Sequence, residues 1–154
     1  MSERTILKRQ VCFSLYAASR AATAVYRPML ESLGLTYPQY LVMLLLWEQD
    51  GASVRELGDA LDLDSGTLSP LLKRLEGTGY VERRRSAEDE RRVSVHLTHD
   101  GAALRERATT VPARLAEAAG LTPAELDQLN ATLAKVTAAL HGASETGASE
   151  TAAV

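Results

Sequence analysis

The single thiol of the chain, Cys12, is the residue whose chemistry follows most directly from the sequence. One cysteine cannot form an intrachain disulfide, and alone it makes no metal site. It is therefore either a small buried hydrophobic residue or a reactive thiol. Reactivity needs the thiolate, and a cysteine of ordinary acidity is only about 3% thiolate at neutral pH. A reactive thiol thus requires neighbours that stabilise its charged form.

A row of polar side chains follows Cys12 at steps of three and four residues: Tyr16, Ser19, Thr23 and Tyr26. Such spacing places the row on one face of a helix. Cys12 and Tyr26 are then about 21 Å apart along the helix axis and cannot touch within one straight helix. They meet if two copies cross antiparallel near Ser19. The pattern predicts an intersubunit site at which phenol hydroxyls hydrogen-bond to a thiolate.

A second set of residues with candidate chemistry lies on a short amphipathic segment that Asp64 and Ser65 can cap. Small polar side chains at its start allow a backbone to approach DNA closely, and hydroxyls reach base edges or phosphates. Its later basic side chains suit phosphates, although a solvated helix face would look the same. The candidate DNA contacts are Ser65, Gly66, Thr67, Ser69, Pro70, Lys73 and Arg74.

Five arginines flank an acidic turn in the stretch that follows. Alternation along a strand places Arg83 and Arg85 on one face and Arg84 on the other. One interpretation is that Asp89 orients Arg91 through a bidentate ion pair while Arg91 enters a minor groove. The alternative is a solvated turn with local ion pairs. The candidate contacts of this hairpin are Arg83, Arg85, Asp89, Arg91 and Arg92.

The elements that carry these residues form a recognisable order between residues 53 and 98. Val54, Leu57 and Leu61 stand at helical spacing, and a second helix follows after a short turn. Two strands around the acidic turn then lead to Thr98, which can cap the next helix. The predicted fold class is mainly α with a small β-hairpin wing, which is a winged helix-turn-helix that binds DNA.

The flanking segments predict dimerisation arms with narrow apolar stripes. A long helix covers residues 6–33, with Pro28 expected to kink or end it. Pro112 either bends a helix that starts at Thr98 or separates two shorter helices. A last helix begins with Thr122 as cap and ends at Gly142, before a repeated GASET sequence with no apolar face.

The predicted organisation therefore has four parts. Residues 1–36 form an N-terminal helix for dimerisation and sensing, and residues 37–98 form the DNA-binding domain. Residues 99–141 form C-terminal dimerisation helices, and residues 142–154 form a disordered tail. The two-fold dimer places its reading helices about 34–36 Å apart.

Composition narrows the class of protein. The chain has 154 residues, is 45% hydrophobic and carries a net charge of −3. It contains no apolar run long enough for a membrane span and no secretory signal, so a cytoplasmic protein without a membrane partner is expected. His96, His99 and His141 are scattered, which indicates surface residues rather than metal ligands, and no cofactor is expected.

The sequence from residue 56 to residue 101 resembles the winged helix of the MarR family of bacterial transcriptional regulators. The resemblance rests on the D-x-R turn and on the V-x-L-T-x-x-G exit from the wing, and it extends from the first helix to about residue 140. The matching residues are Asp89, Arg91, Val95, Leu97, Thr98 and Gly101. The resemblance implies a homodimer on double-stranded operator DNA, with the second motif helix in the major groove and Arg91 in the minor groove.

Within that family, residues 11–48 resemble the organic hydroperoxide-sensing repressors, the OhrR group. The resemblance implies that Cys12 senses the peroxide and that hydroxyls of Tyr16, Tyr26 and Tyr37 surround it. Without a second cysteine, the chain is similar to the one-cysteine type. Oxidation by an organic hydroperoxide would give a sulfenic acid, which a low-molecular-weight thiol, or a cysteine of another protein, caps as a mixed disulfide. The expected function is a repressor that leaves its operator when Cys12 is oxidised.

Two other functions compete with this one. The first is a repressor of the same fold that a small aromatic ligand releases, with no redox role for Cys12. The second is a thiol peroxidase, which the sequence argues against: the residues before Cys12 lack the Pro-x-x-x-Thr/Ser-x-x-Cys motif of such enzymes, and the chain is nearly all helix. We therefore expect a protein that is not an enzyme.

Overall fold

The computed structural model of the chain describes residues 6, 7 and 9–151, with side chains described as far as residue 145. Two compact units are present, one ending at Leu115 and one beginning at Ala116. The elements, in chain order, are α1 (Val11–Leu33), α2 (Tyr37–Glu48), α3 (Val54–Leu61), α4 (Ser65–Gly77), β1 (Val81–Arg85), β2 (Val93–Leu97), α5 (His99–Ala108), α6 (Val111–Ala119) and α7 (Pro123–Thr151). In the described residues no helix is long and apolar enough to cross a membrane.

Local capping fixes where the DNA-binding helices begin. The Ser53 hydroxyl accepts from the Glu56 N–H at 3.1 Å, and the Glu56 carboxylate accepts from the Ser53 N–H at 2.7 Å. This reciprocal pair is a capping box, which satisfies two backbone donors at the start of α3. The Asp64 carboxylate accepts from the Thr67 N–H at 2.8 Å and so starts α4, as predicted. Between the two helices Asp62 adopts a left-handed conformation with φ 55°, which turns the chain.

The core of the first unit lies around α2. Val42 and Met43 are fully buried there, and Leu57, Leu72 and Leu75 of α3 and α4 belong to the same cluster. Because α2 has buried residues on several sides, the helices and the wing can pack around it. This agrees with the nearly all-apolar sequence of α2.

The wing is joined to the helix-turn-helix by backbone hydrogen bonds. Strands β1 and β2 pair antiparallel with Val81 opposite Leu97 and Arg85 opposite Val93. The Val95 N–H donates to the Ala52 carbonyl at 2.8 Å, so the segment before α3 acts as a short third strand. The hairpin therefore has a fixed position relative to α3.

Helix α1 differs from the prediction at its start. It begins at Val11 because Gln10 is extended, whereas the pattern predicted a continuous helix from residue 6. It runs through Pro28 and ends at Leu33, the last residue of the predicted helix, so of the two effects expected of Pro28 the helix does not end at that residue. The stop is Gly34, whose φ of 73° is the left-handed conformation that glycine adopts without strain.

The segment after the wing forms two shorter helices separated near Pro112, which is the second of the two alternatives predicted for this proline. The Thr98 hydroxyl accepts from the Gly101 N–H at 3.1 Å and caps α5. The chain leaves the helix after Ala108 and starts again at Val111, with Pro112 in the first turn of α6. Proline is tolerated there because the N–H that it lacks has no intrahelical partner.

The second unit contains α7, which Thr122 caps as predicted through its hydrogen bonds with Glu125. The prediction of a disordered tail from Gly142 is wrong for residues 142–151, because α7 continues to Thr151. Alanine and glutamate around each glycine favour the helix, and each glycine costs only about 1 kcal/mol relative to alanine. Residues 152–154 of the predicted tail lie outside the described residues.

Gly101 allows the closest approach between α5 and the root of the wing. A Cβ at this position would lie 1.9 Å from the Tyr80 carbonyl oxygen, whereas a Cβ at Gly77 would meet nothing within 4 Å. We expect Gly101→Ala to lower the free energy of unfolding in urea by about 1–3 kcal/mol, the usual cost of overpacking. Gly77→Ala is the control and should raise it by up to about 1 kcal/mol. Equal stability of the two variants would contradict this packing.

Candidate functional site

Helix α4 presents one polar face to solvent. Its leucines Leu68, Leu71, Leu72 and Leu75 are buried, which fixes the rotation of the helix. All seven residues that the sequence predicted as DNA contacts are therefore exposed: Ser65, Gly66, Thr67, Ser69, Pro70, Lys73 and Arg74. An exposed helix with small polar residues at its start has the shape and chemistry to enter a major groove.

The arginines of β1 have different partners. The Arg83 guanidinium donates to the Glu76 carboxylate at 2.8 Å, and the Arg83 N–H donates to the same carboxylate at 3.3 Å. Arg84 instead forms an ion pair with Glu82 of its own strand. Arg83 thus ties the wing to the last turn of α4, which sequence reasoning did not predict.

The acidic turn is built differently from the predicted ion pair. The Asp89 carboxylate accepts from the backbone N–H of Arg91 at 3.0 Å, and the Asp89 carbonyl accepts from the Arg92 N–H at 2.9 Å. Among the described side chains none pairs with the Arg91 guanidinium, so the predicted bidentate Asp89–Arg91 pair is wrong. A carboxylate only two residues away reaches the turn's own N–H more readily than the end of a long side chain. Asp89 orders the turn and leaves the guanidinium outside it.

A groove of about 660 Å³ runs between α3, α4 and the wing. Ser69, Arg83, Arg91 and Arg92 line it together with Arg55 of α3. Arg55 was missed by the sequence reasoning, although its place beside inward-facing Val54 identifies an outward-facing cation. Five polar or basic residues from three elements therefore face one groove.

Carboxylates in the same groove limit its positive charge. Glu56 and Asp59 of α3 line it beside the arginines. Hydrogen bonds from the Ser53 N–H and hydroxyl lower the pKa of Glu56, and the nearby Arg92 charge acts in the same direction. Glu56 therefore stays ionised at neutral pH, which makes the groove a mixed surface rather than a uniformly basic one.

Cys12 lies near the start of α1 and is exposed. In a single chain the thiol is therefore not a buried hydrophobic residue, which was one of the two roles that the sequence allowed. Within the described residues no hydrogen bond reaches its sulfur. Tyr16, one turn further on, is 59% exposed. The Arg20 guanidinium contacts it, with a 3.4 Å hydrogen bond to the phenol oxygen and 5.5 Å to the ring centroid.

The other two predicted tyrosines come together where α1 meets α2. The rings of Tyr26 and Tyr37 stack with centroids 5.3 Å apart and planes at 19°. Tyr40, which the sequence indicated as packing, lies beside both rings and is 2% exposed. Burial raises the pKa of Tyr26 and of Tyr40, which keeps both phenols protonated and able to donate. One chain thus presents Cys12 with Tyr16, and Tyr26 with Tyr37, as two separate pairs.

Large apolar side chains are exposed on the same half of α1 as the thiol. Val11 is 65% exposed and Phe13 is 42% exposed. Contiguous exposed apolar side chains usually mark an interaction surface. In the described residues no group of three or more His, Cys, Asp or Glu side chains could hold a metal ion.

The helix-turn-helix, its exposed polar face and its arginine-rich wing define a winged-helix DNA-binding protein. Residues 24–107 match a family described as transcriptional regulator SarA/Rot. The organic hydroperoxide resistance transcriptional regulator of Bacillus subtilis is 47% identical over 135 residues, which cover 88% of this chain and 92% of that relative. This chain belongs to the MarR family of transcriptional regulators, in the group of organic hydroperoxide resistance regulators with a single cysteine.

Solved structures agree with this assignment. The structure of reduced AbfR bound to DNA is 34% identical, with a TM-score of 0.76, over 92% of this chain and 96% of that one. The overoxidized AbfR bound to DNA, 36% identical, has a TM-score of 0.73 over 90% of this chain and 97% of that one; AbfR comes from Staphylococcus epidermidis. The predicted fold class and family are confirmed, and the chain is a DNA-binding transcriptional regulator rather than an enzyme.

The contact between Arg83 and Glu76 gives a pH-dependent prediction. The Arg83 side chain, and then its N–H, lower the pKa of Glu76. A carboxyl with a lowered pKa stabilises the fold above its ordinary pKa of about 4.3, and this stabilisation is lost as the pH falls through the lowered value. In Arg83→Ala we expect the pKa of Glu76 to rise towards its ordinary value. Carbon NMR of the Glu76 carboxyl measures the change.

The control for this titration is Arg84→Ala, which removes a neighbouring arginine with a different partner. It should leave the Glu76 titration unchanged. An identical Glu76 titration in wild type and Arg83→Ala would show that Arg83 does not hold this carboxylate.

Proposed function

We propose that the chain is a redox-sensing repressor that binds operator DNA as a homodimer and releases it when an organic hydroperoxide oxidises Cys12. The observation that carries the proposal is the exposed thiol on the unpartnered apolar half of α1. Its support is the 47% identity to an organic hydroperoxide resistance regulator. The DNA-bound structures of a relative in reduced and overoxidized forms add to it.

The exposed apolar residues favour dimerisation through the terminal helices, residues 1–36 and 99–141. Val11 and Phe13 of α1 and Leu129 and Leu140 of α7 are all exposed in one chain. Burying a fully exposed side chain of this size contributes about 1.5–3 kcal/mol, and burying the exposed half of each of these contributes roughly half of that. The terminal helices of two copies therefore provide a large apolar driving force for association.

An antiparallel crossing of two α1 helices near Ser19 assembles the sensor. It brings Cys12 and Tyr16 of one copy to Tyr26 of the partner subunit and to Tyr37 of the partner subunit. Those two phenols are already stacked in each chain. Three hydroxyls then surround the sulfur and stabilise its thiolate by hydrogen bonds.

The oxidation follows ordinary thiol chemistry. The Cys12 thiolate attacks the terminal oxygen of the hydroperoxide and the O–O bond breaks, which leaves a sulfenic acid on Cys12 and an alkoxide. The alkoxide takes a proton from water and leaves as an alcohol. A low-molecular-weight thiol then attacks the sulfenic sulfur, releasing water and leaving a mixed disulfide. The hydroperoxide is the two-electron oxidant, so no cofactor is required.

The energy of this change is large enough to operate a switch. Reversing an equilibrium from 99:1 to 1:99 requires about 5.5 kcal/mol of differential stabilisation. Each hydrogen bond to a charged group contributes about 1.5–3 kcal/mol, and oxidation removes the thiolate that accepts three of them. The added bulk between the helices acts in the same direction by changing the separation of the two reading heads.

On DNA, we propose that α4 enters the major groove through Ser65, Gly66, Thr67, Ser69 and Pro70. Lys73 and Arg74 contact phosphates further along the helix. Arg91 reaches the minor groove, and Asp89 supports it by ordering the turn. Arg85 and Arg92 contact the backbone beside the wing, while Arg83 chiefly holds the wing against Glu76.

The sensing proposal predicts that Cys12→Ser binds operator DNA but does not respond to peroxide. One equivalent of cumene hydroperoxide with excess cysteine should release wild-type protein, with Cys12 recovered as a mixed disulfide. Fluorescence anisotropy of labelled operator and intact-protein mass spectrometry measure the two events. Cys12→Ser should stay bound under the same treatment. Its release would show that Cys12 is not the sensor and would favour a ligand-released repressor.

The DNA contacts predict a change in salt dependence. Arg91→Ala should weaken operator binding and reduce the slope of log K against log salt concentration by about 1, because one phosphate-neutralising cation is lost. Arg84→Ala is the matched control because Glu82 already neutralises that arginine. If Arg91→Ala and wild type had the same slope, Arg91 would not be among the residues that contact DNA.

A further inference from the structure

Arg20 holds the tyrosine that lies one helical turn from the thiol. Its guanidinium donates to the Tyr16 phenol oxygen at 3.4 Å and lies 5.5 Å from the ring centroid. Side chains on a helix lean towards its N-terminus, so Arg20 reaches back to Tyr16 and Tyr16 reaches back towards Cys12. The three residues stand four apart along one face of α1.

Arg20 is the group that restrains Tyr16 in a single chain. The Tyr16 side chain is 59% exposed, and in the described part of the molecule its other hydrogen bonds and ring contacts are absent. Among the described ion pairs none involves Arg20, so its guanidinium is not neutralised by a carboxylate. The position of the phenol therefore depends on one cation.

We propose that Arg20 is a positioning residue for the peroxide-sensing thiol and acts through Tyr16. Because Arg20 donates to the phenol oxygen, the phenol's own proton is left to donate elsewhere. In the proposed dimer its acceptor is the Cys12 thiolate. A hydrogen bond received by the oxygen also strengthens the one that the phenol donates. This inference rests on the proposed function, since it assigns a role relative to a reactive Cys12.

The spacing along the helix favours an indirect role of the charge. From residue 12 to residue 20 the helix rises about 12 Å. The Debye length at physiological ionic strength is about 8 Å, so an exposed charge at that distance is largely screened. We therefore assign its effect to the phenol between them, and the double-mutant comparison separates this route from a direct effect of the charge.

The test is the rate at which Cys12 of the reduced, full-length protein is consumed by cumene hydroperoxide at neutral pH. Loss of one hydrogen-bond contact corresponds to roughly a threefold to tenfold decrease, which is the expected result for Arg20→Ala. Arg20→Lys keeps a donor and should recover part of the rate. Arg84→Ala is the control, an exposed arginine of β1 whose ion-pair partner is Glu82, and should react as wild type does.

A double-mutant comparison tests the route. In a Tyr16→Phe background Arg20→Ala should have no further effect on the rate, because the phenol oxygen that Arg20 contacts is gone. The dimer size and operator affinity of reduced Arg20→Ala should equal those of wild type. A wild-type rate in Arg20→Ala, or an equal loss with and without the Tyr16 hydroxyl, would overturn the inference. Both outcomes leave the proposed function intact, which fails only if Cys12→Ser still responds to peroxide.

Discussion

The close approach of Gly101 to the Tyr80 carbonyl is the contact on which the reading head depends. The same carbonyl accepts from the Thr98 N–H at 3.0 Å, and the Gly101 carbonyl accepts from the Trp47 indole at 2.9 Å. The root of the wing, the start of α5 and the central helix α2 therefore meet at one point. No other amino acid fits there without moving a backbone, since the first atom of any side chain would overlap the Tyr80 carbonyl.

From that point outward, the DNA-binding elements behave as one rigid part. The Val95–Ala52 hydrogen bond fixes the wing to α3, and the Arg83–Glu76 contact fixes it to the end of α4. A movement of the flanking helices would therefore shift the wing, α3 and α4 together instead of deforming them. This favours a mechanism in which the sensor helices alter the spacing of two intact reading heads, rather than one in which they deform the recognition helix.

Patterns local in sequence predicted most of the fold. Capping residues such as Asp64 and Thr122 bond to residues three positions away, so their effect is visible without the tertiary structure. Contacts that depend on how elements pack were not predictable. The Arg83–Glu76 bond joins residues seven apart across a helix end and a strand. The prediction of a disordered tail from Gly142 was wrong for a different reason. The composition of this segment is compatible both with a solvated coil and with a helix that continues an existing one.

The separation of Cys12 from the stacked Tyr26–Tyr37 pair has a consequence for newly made protein. A lone chain carries the thiol and the two buried-side phenols as unconnected halves, and only association with a second copy joins them. Under the proposed crossing, sensitivity to hydroperoxide is a property of the dimer. In an unassembled copy the Cys12 thiol lacks the Tyr26 and Tyr37 hydroxyls that stabilise its thiolate. An unassembled copy would therefore react with hydroperoxide more slowly than the dimer, and the sensor becomes sensitive only in the form that binds operator DNA.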